Sequence, residues 1–511
     1  MVEREPLITF EPDVVWINRH LNVSARIERL YEAWNRWSDR TRPTQQVWMA
    51  GLSALQRIVR EAEASNKRVR GFGGAWSLSR AAVTRDFMVD TKPLNYIDIG
   101  IRQENLEAAF QGVPEHLVFA QAGVSIMELN QELEVRGLSL STSGASNGQT
   151  IAGASSTGTH GSAHAVGSMQ DLIVGLHIVA EGGKHFWIER ASQPVVTQRF
   201  CDLLGAELVR DDPLFNAAVV SFGSFGLIHA ILFTCEPIYT LEFHIRRYDY
   251  QEVQPVLSTL DVSSLNLPEG ATLPFHFEVV LNPYRTQSNA QGAYVRFMYK
   301  RDYTPVPNPP RATVVTSPGD DLLGLIGTLS DAVPALIPAA LDTVLQQQLA
   351  PTTEPVYGTH GQIFGPTTLR GHAMSTEIGV ALHDAGRAVE AIIQVAATGS
   401  FAGTVALRYV KASSALLAFT HFAPITCTIE LPSVESDRTQ RAFERIWAEL
   451  EARNILYTLH WGQGLRPDAA FVRRAFGARV DQWLSARRRF LSPTGRQTFA
   501  NALLIDCRLA D

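Results

Sequence analysis

Residues 141–165 are built almost entirely from Gly, Ser, Thr, Ala, Asn and His. Loops exposed to solvent are normally short, so a run of small residues this long is unusual. Small residues allow the backbone to approach a large flat molecule, because little side chain intervenes. The run therefore predicts an irregular segment that lines a ligand.

A second glycine-rich segment, GFGGAWS, occupies residues 71–77 after a short strand pattern that begins at Val69. Its glycines would let backbone N–H groups approach a phosphate. It is not the GxGxxG of a dinucleotide fold, because Trp76 stands at the third glycine, and no Gly-Lys-Ser/Thr follows as in a P-loop. Alone it is more typical of an ordinary turn. Together, the two segments indicate a diphosphate held at one end of an extended cofactor.

A chain of 511 residues predicts two or three domains. Its 45% hydrophobic and 19% charged content is ordinary for a globular protein in water. The net charge of −6 and the absence of a basic stripe with interleaved aromatic residues exclude a nucleic-acid partner. The four cysteines are scattered without a CxxC, which predicts reduced, mostly buried thiols and a cytoplasmic location.

Neither the start of the chain nor its most apolar stretch predicts a membrane segment. Residues 1–16 carry Glu3 and Glu5 and lack the apolar core of a secretory signal. Residues 322–349 are apolar but are interrupted by two acids and two prolines, which a membrane-spanning helix would not carry. These interruptions are Asp331, Pro334, Pro338 and Asp342. We expect an amphipathic helical pair that covers a site, and contact with a membrane surface is the alternative.

The spacing of apolar residues predicts helices and strands along the chain. Helical spacing runs over residues 25–65, where Leu52, Leu55, Ile58 and Val59 share one face. Further helices are predicted at residues 125–136 and 443–453. Strand patterns occur at residues 87–90, 117–121, 172–179 and 227–234. After Pro237 the strand patterns FHIRRYDY, FHFEVVLN and AYVRFMYK follow one another, which predicts a domain boundary near residue 240.

Six motifs identify a family. GFGGAWS, VFAQAGVSIMELNQELEVRGLSL, QTIAGASSTGTHGS and FGSFGLI occur in this order, and LHWGQG and LSPTGRQTFANALL follow near the C-terminus. This set resembles the vanillyl-alcohol-oxidase (PCMH-type) FAD-binding superfamily, and within it the aldonolactone oxidase and alditol oxidase branch. The resemblance covers about residues 47–237 and resumes at the end of the chain. TGTHGS together with HWG is its most specific part, and the substrate region matches weakly.

The resemblance implies an α+β fold in two parts. Residues 1–240 would form a PCMH-type FAD-binding domain, and the C-terminal residues 451–511 would return to this domain and complete it. Residues 241–450 would form an α+β substrate cap with an antiparallel sheet. In such proteins the first glycine-rich loop binds the pyrophosphate, the second runs beside the isoalloxazine, and the turn at residues 226–228 covers the adenine side.

FAD is therefore the implied cofactor. Its implied contacts in this sequence are Gly71, Phe72, Gly73, Gly74, Ala75, Trp76, Ser77, Thr150, Gly153, Ser155, Gly158, Thr159, His160, Gly161, Ser162, Gly226, Ile228 and His460. We expect His160 to organise its loop, and a structural histidine bonded to the backbone is the favoured form of that role.

One departure from the family pattern concerns the flavin linkage. The first loop of this branch usually reads Gly-x-Gly-His-Ser, and its histidine bonds covalently to the flavin. Gly74 and Ala75 stand at the His-Ser positions here. The sequence therefore predicts FAD that is not covalently attached at this loop.

An alcohol oxidised by a flavin loses a hydride from carbon and a proton from oxygen, and the proton needs a base or a polarising pair. STEIGVALHDAGRAVEAI resembles the family segment whose glutamate meets the substrate, which implies Glu377 as the first candidate. Arg408 matches the family's strand arginine, and His460 matches HWG. Gln463 replaces the lysine that usually follows. The alternatives are a surface ion pair for Glu377 and structural pairing for Arg408.

Two competing motifs carry less weight. Residues 144–148 match the hydrolase pattern GxSxG, but that elbow must lead into a helix, and here it opens into the run of small residues. His160 and His164 have the spacing of zinc ligands on a helix, but the loop composition argues against a helix there and no HExxH glutamate is present. No metal is predicted.

The sequence thus predicts an FAD-dependent enzyme that oxidises a C–OH group of a small alcohol, polyol or lactone-like molecule. O2 or another acceptor would reoxidise the flavin, and a dehydrogenase that excludes O2 is one alternative. Another is a flavin-binding protein with altered or lost catalysis, because Gly74, Gly379 and Gln463 stand where the family has functional side chains. An acid that faces the flavin would favour the enzyme.

Overall fold

The computed structural model describes residues 8–35, 44–306, 331–365, 371–466 and 468–511. Its strands, numbered in chain order, are β1 (Ile8–Ile17), β2 (Ser24–Ala33), β3 (Val69–Phe72), β4 (Phe87–Asp90), β5 (Ile97–Ile99), β6 (Leu117–Gln121), β7 (Leu138–Ser139), β8 (Ile173–Val179), β9 (His185–Glu189), β10 (Glu207–Arg210), β11 (Leu227–Thr234), β12 (Glu236–Pro237), β13 (Tyr239–Tyr248), β14 (His276–Leu281), β15 (Ala293–Asp302), β16 (Val356–Gly358), β17 (Ala373–Ala381), β18 (Val405–Lys411), β19 (Ile425–Val434) and β20 (Tyr457–Leu459).

The longer helices are Thr44–Ala64, Ile126–Val135, Ile151–Thr157, Gln198–Leu204, Asp212–Ala218, Ile337–Gln348, Ala385–Thr398, Asp437–Ala452, Ala469–Phe476 and Ala478–Phe490. The shorter ones are Tyr250–Val253, His360–Ile363, Pro493–Thr498 and Ala502–Asp506.

The N-terminal half contains two main sheets. The first has the order β1-β2-β4-β3, with β1 antiparallel to β2 and parallel pairing of β2, β4 and β3. The second has the order β10-β9-β8-β11-β6-β5 and is antiparallel except between β9 and β10. The Thr44–Ala64 helix buries the predicted face of Leu52, Leu55, Ile58 and Val59 in the core that it shares with both sheets.

The helical prediction for the beginning of residues 25–65 was wrong, because Ser24–Ala33 is a strand. Ile27 and Tyr31 are buried four residues apart, a spacing that fits one face of a helix and also one face of a strand. Pairing with β1 on one side and β4 on the other selects the strand. The helix itself begins only at Thr44.

The cap is an eight-stranded antiparallel sheet with the order β16-β13-β15-β14-β18-β19-β17-β20. One face, which includes Ile378, Leu407 and Ile429, packs in the main core with the helices Ala385–Thr398 and Asp437–Ala452. Because side chains alternate along a strand, the residues between these positions project from the opposite face. Several are polar or charged, which makes this face suitable for a site. The predicted α+β class with an antiparallel sheet is confirmed.

The C-terminal segment contacts both the cap sheet and the N-terminal half of the chain. β20 pairs with β17 at the edge of the cap sheet. Further on, the indole N–H of Trp483 donates to the carbonyl of Ala217 over 3.1 Å, and Asn501 Nδ2 donates to the carbonyl of Ala81 over 2.9 Å. The domain limits 1–240, 241–450 and 451–511 remain predictions.

The apolar insert is described only in part, since residues 322–330 lie outside the described ranges. The Ile337–Gln348 helix packs through Leu345 against Val280, Tyr294 and Ala406 of the cap sheet, and none of its residues lines the cavity described below. None of the helices that the structure describes has both the length and the apolar content needed to cross a membrane. The four cysteines are buried and unpaired, as predicted.

Candidate active site

A cavity of about 360 Å³ lies between the glycine-rich segments and the polar face of the cap sheet. It brings together most of the residues that the sequence singled out. Those that line it are Gly71, Phe72, Gly73, Gly74, Ala75, Trp76, Ser77, Thr150, Gly153, Thr159, His160, Gly226, Ile228, Glu377, Arg408, His460 and Gln463. The cofactor residues and the candidate catalytic residues therefore share one space.

The first loop offers backbone donors to this cavity. Among the described residues, no acceptor is present for the backbone N–H groups of Gly73, Gly74 and Ala75. Ala75 adopts a left-handed conformation with φ of 54°, which a residue with a side chain takes up only when its surroundings impose it. Successive free N–H groups in such a turn form a concave site for an anion.

The two glycine-rich segments meet without room for side chains between them. A Cβ at Gly73 would lie 2.5 Å from Cγ2 of Thr150, and one at Gly74 would lie 2.6 Å from the carbonyl oxygen of Gly148. The glycines therefore allow the close approach that shapes the cavity wall. The small residues and the free donors fit a molecule that has a diphosphate and an extended planar part, which is the outline of FAD.

The second segment is not irregular throughout, because Ile151–Thr157 forms a helix. Thr150 caps its N-terminus by accepting the N–H of Gly153 at 3.3 Å, and Gly158 ends it in a left-handed conformation with φ of 90°. A threonine cap and a terminal glycine are the usual start and stop signals. They are present in the sequence but are obscured by the small residues around them.

Four residues predicted to contact the cofactor do not line the cavity, and each instead has a structural contact. The Ser155 hydroxyl donates to the carbonyl of Ile151 inside the helix, and Gly158 terminates that helix. The N–H of Gly161 donates to Thr142 Oγ1 at 3.1 Å. The hydroxyl of Ser162 donates to the carbonyl of Phe277 in the cap sheet.

Glu377 lies in the middle of β17 with its side chain only 3% exposed. The alternative of a surface ion pair was therefore wrong. Its Oε1 contacts His160 Nε2 at 2.9 Å, and its Oε2 accepts the amide of Gln463 at 3.2 Å. Burial raises the pKa of the carboxyl group, but the neighbouring His160 and Arg408 outweigh it and the net shift is downward. Glu377 is thus held as an ionised acceptor.

The His160–Glu377 contact has to contain a proton. His160 Nδ1 lies 2.8 Å from the carbonyl of Gly161, which can only accept, so Nδ1 carries a hydrogen. The contact between Nε2 and Glu377 then needs a hydrogen on one of its two atoms. The pair of His160 and Glu377 therefore shares one proton and carries no net charge. The predicted bond of His160 to the backbone is therefore present at Nδ1, but its Nε2 also contacts the carboxyl group of Glu377.

Arg408 lies in a network of carboxylates on the polar face of the cap sheet. Its Nε donates to Glu278 at 2.9 Å, and its Nη1 donates to Glu430 at 2.6 Å and lies 3.5 Å from Glu377. Arg296 donates to the other oxygen of Glu278 at 2.7 Å. Burial opposes the charge of Arg408, but the carboxylates outweigh it and raise its pKa. Arg408 is therefore both paired and part of the cavity wall.

Sequence reasoning missed Glu278 and Glu430. Glu430 lies directly opposite Glu377 in the register of β17 and β19, and it lines the cavity. Glu278 is fully buried, and Arg296 and Arg408 lower its pKa to about 2 although burial acts in the opposite direction. Each is an acid within an apolar strand pattern, and such an acid is rarely buried unless it is paired. That signal was present in FHFEVVLN and ITCTIELPSV.

His460 and Gln463 complete the cluster. The N–H of Gly462 donates to His460 Nδ1 at 2.9 Å, so a neutral His460 carries its hydrogen on Nε2. Burial lowers the pKa of His460 to about 4, which keeps it neutral. Gln463 Nε2 donates to both Glu377 and Glu430, at 3.2 and 3.1 Å. Its Oε1 is buried and has no partner among the described residues.

The competing motifs do not assemble into sites. β7 ends at Ser139, so no strand leads directly into residues 144–148 as a hydrolase elbow requires. Within the described ranges, no group of three or more His, Cys, Asp or Glu side chains is placed to hold a metal ion.

Comparison with known proteins matches part of the chain to a family. Residues 43–189 match the FAD binding domain family. A putative D-arabinono-1,4-lactone oxidase of Neurospora crassa is 30% identical over 37% of this chain and 29% of its own length. An L-gulono-1,4-lactone dehydrogenase of Mycobacterium tuberculosis is 26% identical over 54% of each chain. The matches thus span about half or less of the length of these relatives.

Structural similarity to a known protein extends over more of the chain than sequence similarity does. A cholesterol oxidase of Brevibacterium sterolicum superposes with a TM-score of 0.70 over 99% of this chain and 98% of its own, at 13% identity. The predicted cofactor is confirmed, because residues 43–189 match an FAD binding domain, and the sequences similar to this chain include aldonolactone oxidases and dehydrogenases, as the motifs predicted.

Proposed function

We propose that this protein oxidises a C–OH group of a neutral, hydroxyl-rich small molecule at the Glu377 end of the cavity. The observation that carries the proposal is that one cavity joins the glycine-rich segments to a buried cluster of Glu377, Arg408, His460 and Gln463. A flavin-binding protein without catalysis would not need a buried, fully organised acid there. The names of the relatives support oxidation of a lactone or alcohol.

Bound FAD would supply the ring that takes up a hydride from the substrate carbon. Gly73, Gly74 and Ala75 would hold its diphosphate through their free N–H groups. Gly226 and Ile228 would line its adenine side, and Thr159, His160 and His460 would line the ring.

The substrate hydroxyl would be held by Glu377, whose Oε2 accepts one hydrogen bond, from Gln463, and has capacity for another. A carboxylate whose pKa is lowered is a good hydrogen-bond acceptor but a weak base. The hydroxyl becomes more acidic as hydride leaves its carbon, so its proton would move along this hydrogen bond during that step. The Nε2–H of His460 would donate to an oxygen of the substrate. O2 or another acceptor would finally take the electrons that the substrate loses.

The charges of the site favour a neutral substrate. Glu377 and Glu430 line the cavity as carboxylates, and the cation of Arg408 is already shared among Glu278, Glu377 and Glu430. Hydroxyl groups can donate to the carboxylates and to Oε1 of Gln463, which has no partner in the part of the chain that the structure describes. Arg408 and His160 are already paired with these acids. A carboxylate or phosphate on the substrate would therefore lie beside Glu377 and Glu430 without a free cation among the described residues that line the cavity, and a contact between like charges costs several kcal/mol.

We therefore expect an aldonolactone or alditol to bleach the bound flavin under anaerobic conditions at least about tenfold faster than the aldonate of the same carbon skeleton. A tenfold difference corresponds to about 1.4 kcal/mol, which is within the cost of one like-charge contact. Stopped-flow absorbance of the flavin measures both rates. Equal rates would contradict the assignment of substrate charge, and absence of bleaching by every alcohol tested would contradict the oxidation itself. Admission of air then shows whether O2 is the acceptor.

We also propose that the flavin is not covalently attached at the first loop. Gly74 has no nucleophile, and its position has no room for one, because a Cβ there would lie 2.6 Å from the Gly148 carbonyl and 2.8 Å from Trp76 Cδ1. Acid precipitation should leave a colourless protein pellet and a yellow supernatant. Gly74→His should purify with little flavin instead of gaining a covalent bond. A yellow pellet from either protein would contradict this account of the loop.

A further inference from the structure

Arg70 is a buried cation immediately in front of the first loop. It is 1% exposed, and it donates to the carbonyl oxygens of Phe499, at 3.0 Å, and Ala81, at 2.6 Å. Its Nε is buried without a partner among the described residues. The guanidinium group therefore contacts neutral carbonyl groups and retains an unused donor.

No carboxylate balances this charge within the described part of the chain. Arg70 takes part in none of the ion pairs found there, whereas Arg408 pairs with three acids. Burial lowers the pKa of Arg70 to about 9, and the neighbouring cation of Arg487 acts in the same direction. A buried charge without a counter-ion is unfavourable, and proteins normally pair it.

The guanidinium lies directly behind the wall of the cavity. Gly71, Ala81 and Gly223 all line the cavity, and Ala81 accepts a hydrogen bond from Arg70. A Cβ placed on Gly223 would be 3.8 Å from the Cζ of Arg70. The backbone at Gly223 therefore separates the cation from the same cavity that Gly73–Ala75 line, and among the described residues the N–H groups of Gly73–Ala75 have no acceptor.

We propose that Arg70 is the buried counter-charge of the FAD diphosphate and acts on it through this wall. The interior of a protein screens charge weakly, so a cation one layer behind a surface still contributes to the potential in front of it. The diphosphate would supply the negative charge that Arg70 lacks. Arg70 is thus a binding residue and not a catalytic one, and its assignment depends on the placement of the diphosphate proposed above.

The test compares ADP with adenosine as probes of the protein freed of flavin, with affinities measured by calorimetry. ADP carries the diphosphate and adenosine does not, so the ratio of their affinities isolates the diphosphate from other effects of a substitution. We expect Arg70→Gln to lower this ratio at least about tenfold, the order of a lost charge-assisted interaction. Arg70→Lys, which keeps the charge, should retain most of the ratio. Arg488→Gln, an exposed arginine in the Ala478–Phe490 helix, should leave it unchanged.

The opposite results would overturn the proposal. If Arg70→Lys loses as much of the ratio as Arg70→Gln, the hydrogen bonds to Phe499 and Ala81 matter and the charge does not. If Arg70→Gln does not fold, Arg70→Met replaces it as the uncharged variant, and a ratio equal to that of the unmodified protein would refute the proposal. An unmodified protein that binds adenosine as tightly as ADP would also refute the assignment. None of these measurements involves turnover, so they stand apart from the test of the oxidation.

Discussion

Glu377→Gln is expected to retain FAD but to lower the rate of anaerobic flavin reduction by about 10²–10⁴-fold, the usual contribution of a positioned acid–base group. Glutamine keeps the volume of the side chain but replaces one acceptor oxygen with a donor. It could no longer accept both the hydrogen of His160 and that of the substrate hydroxyl. Stopped-flow absorbance with a saturating neutral substrate measures the rate.

The control for this variant is Glu444→Gln, which alters an exposed glutamate of the Asp437–Ala452 helix and should reduce the flavin at the parent rate. A purely structural role for Glu377 would lower the flavin content and the melting temperature without selectively slowing the reduction. A fully loaded, stable Glu377→Gln protein that reduces its flavin within about threefold of the parent would exclude the role proposed here, since a positioned group contributes far more.

Gly73→Val is expected to yield a largely flavin-free protein. Its Cβ would lie 2.5 Å from Cγ2 of Thr150, and the branched side chain would separate the two glycine-rich segments that form the cavity wall. Forcing extra atoms into a packed contact costs typically about 1–3 kcal/mol. If this cost falls on the bound state, the affinity for FAD decreases by about 5–150-fold. The ratio of absorbance at 450 and 280 nm in the purified protein reports the loss.

Gly71→Ala provides the matched comparison in the same loop. Its Cβ would meet Leu227 and Thr91 only at 3.5 Å, an ordinary contact distance, so far less flavin should be lost. Removal of one hydroxyl by Thr150→Ala forfeits a hydrogen bond worth about 0.5–1.5 kcal/mol and should also have a smaller effect. A Gly73→Val protein with full flavin content would mean that the two segments do not form the binding wall.

The fold could be predicted where the local pattern and the tertiary environment agree. Phe87–Asp90 and Leu227–Thr234 were predicted as strands with the bounds that the structure has. Residues 24–33 were mistaken for helix because Ile27 and Tyr31 fit both periods, and only pairing with β1 and β4 distinguishes them. The helix at Ile151–Thr157 was missed because its small residues give no apolar stripe.

The site could be predicted only where the motifs of the family extend. Glu377 and Gln463 were identified from such motifs, and both line the cavity. Glu278 and Glu430 belong to strands whose local sequence does not indicate that they would face Arg408. That arrangement arises from the antiparallel register of β14, β18 and β19, which a sequence pattern does not specify. The proposed preference for a neutral substrate follows from this arrangement.

The most direct test of the account is a crystal structure of the protein with FAD and a neutral substrate analogue. We expect the diphosphate against Gly73–Ala75, the isoalloxazine beside His460, and the hydroxyl of the analogue within about 2.6–3.2 Å of Glu377 Oε2. An isoalloxazine more than about 10 Å from Glu377, with no substrate-sized space between them, would contradict it, because that separation is well beyond hydrogen-bond reach.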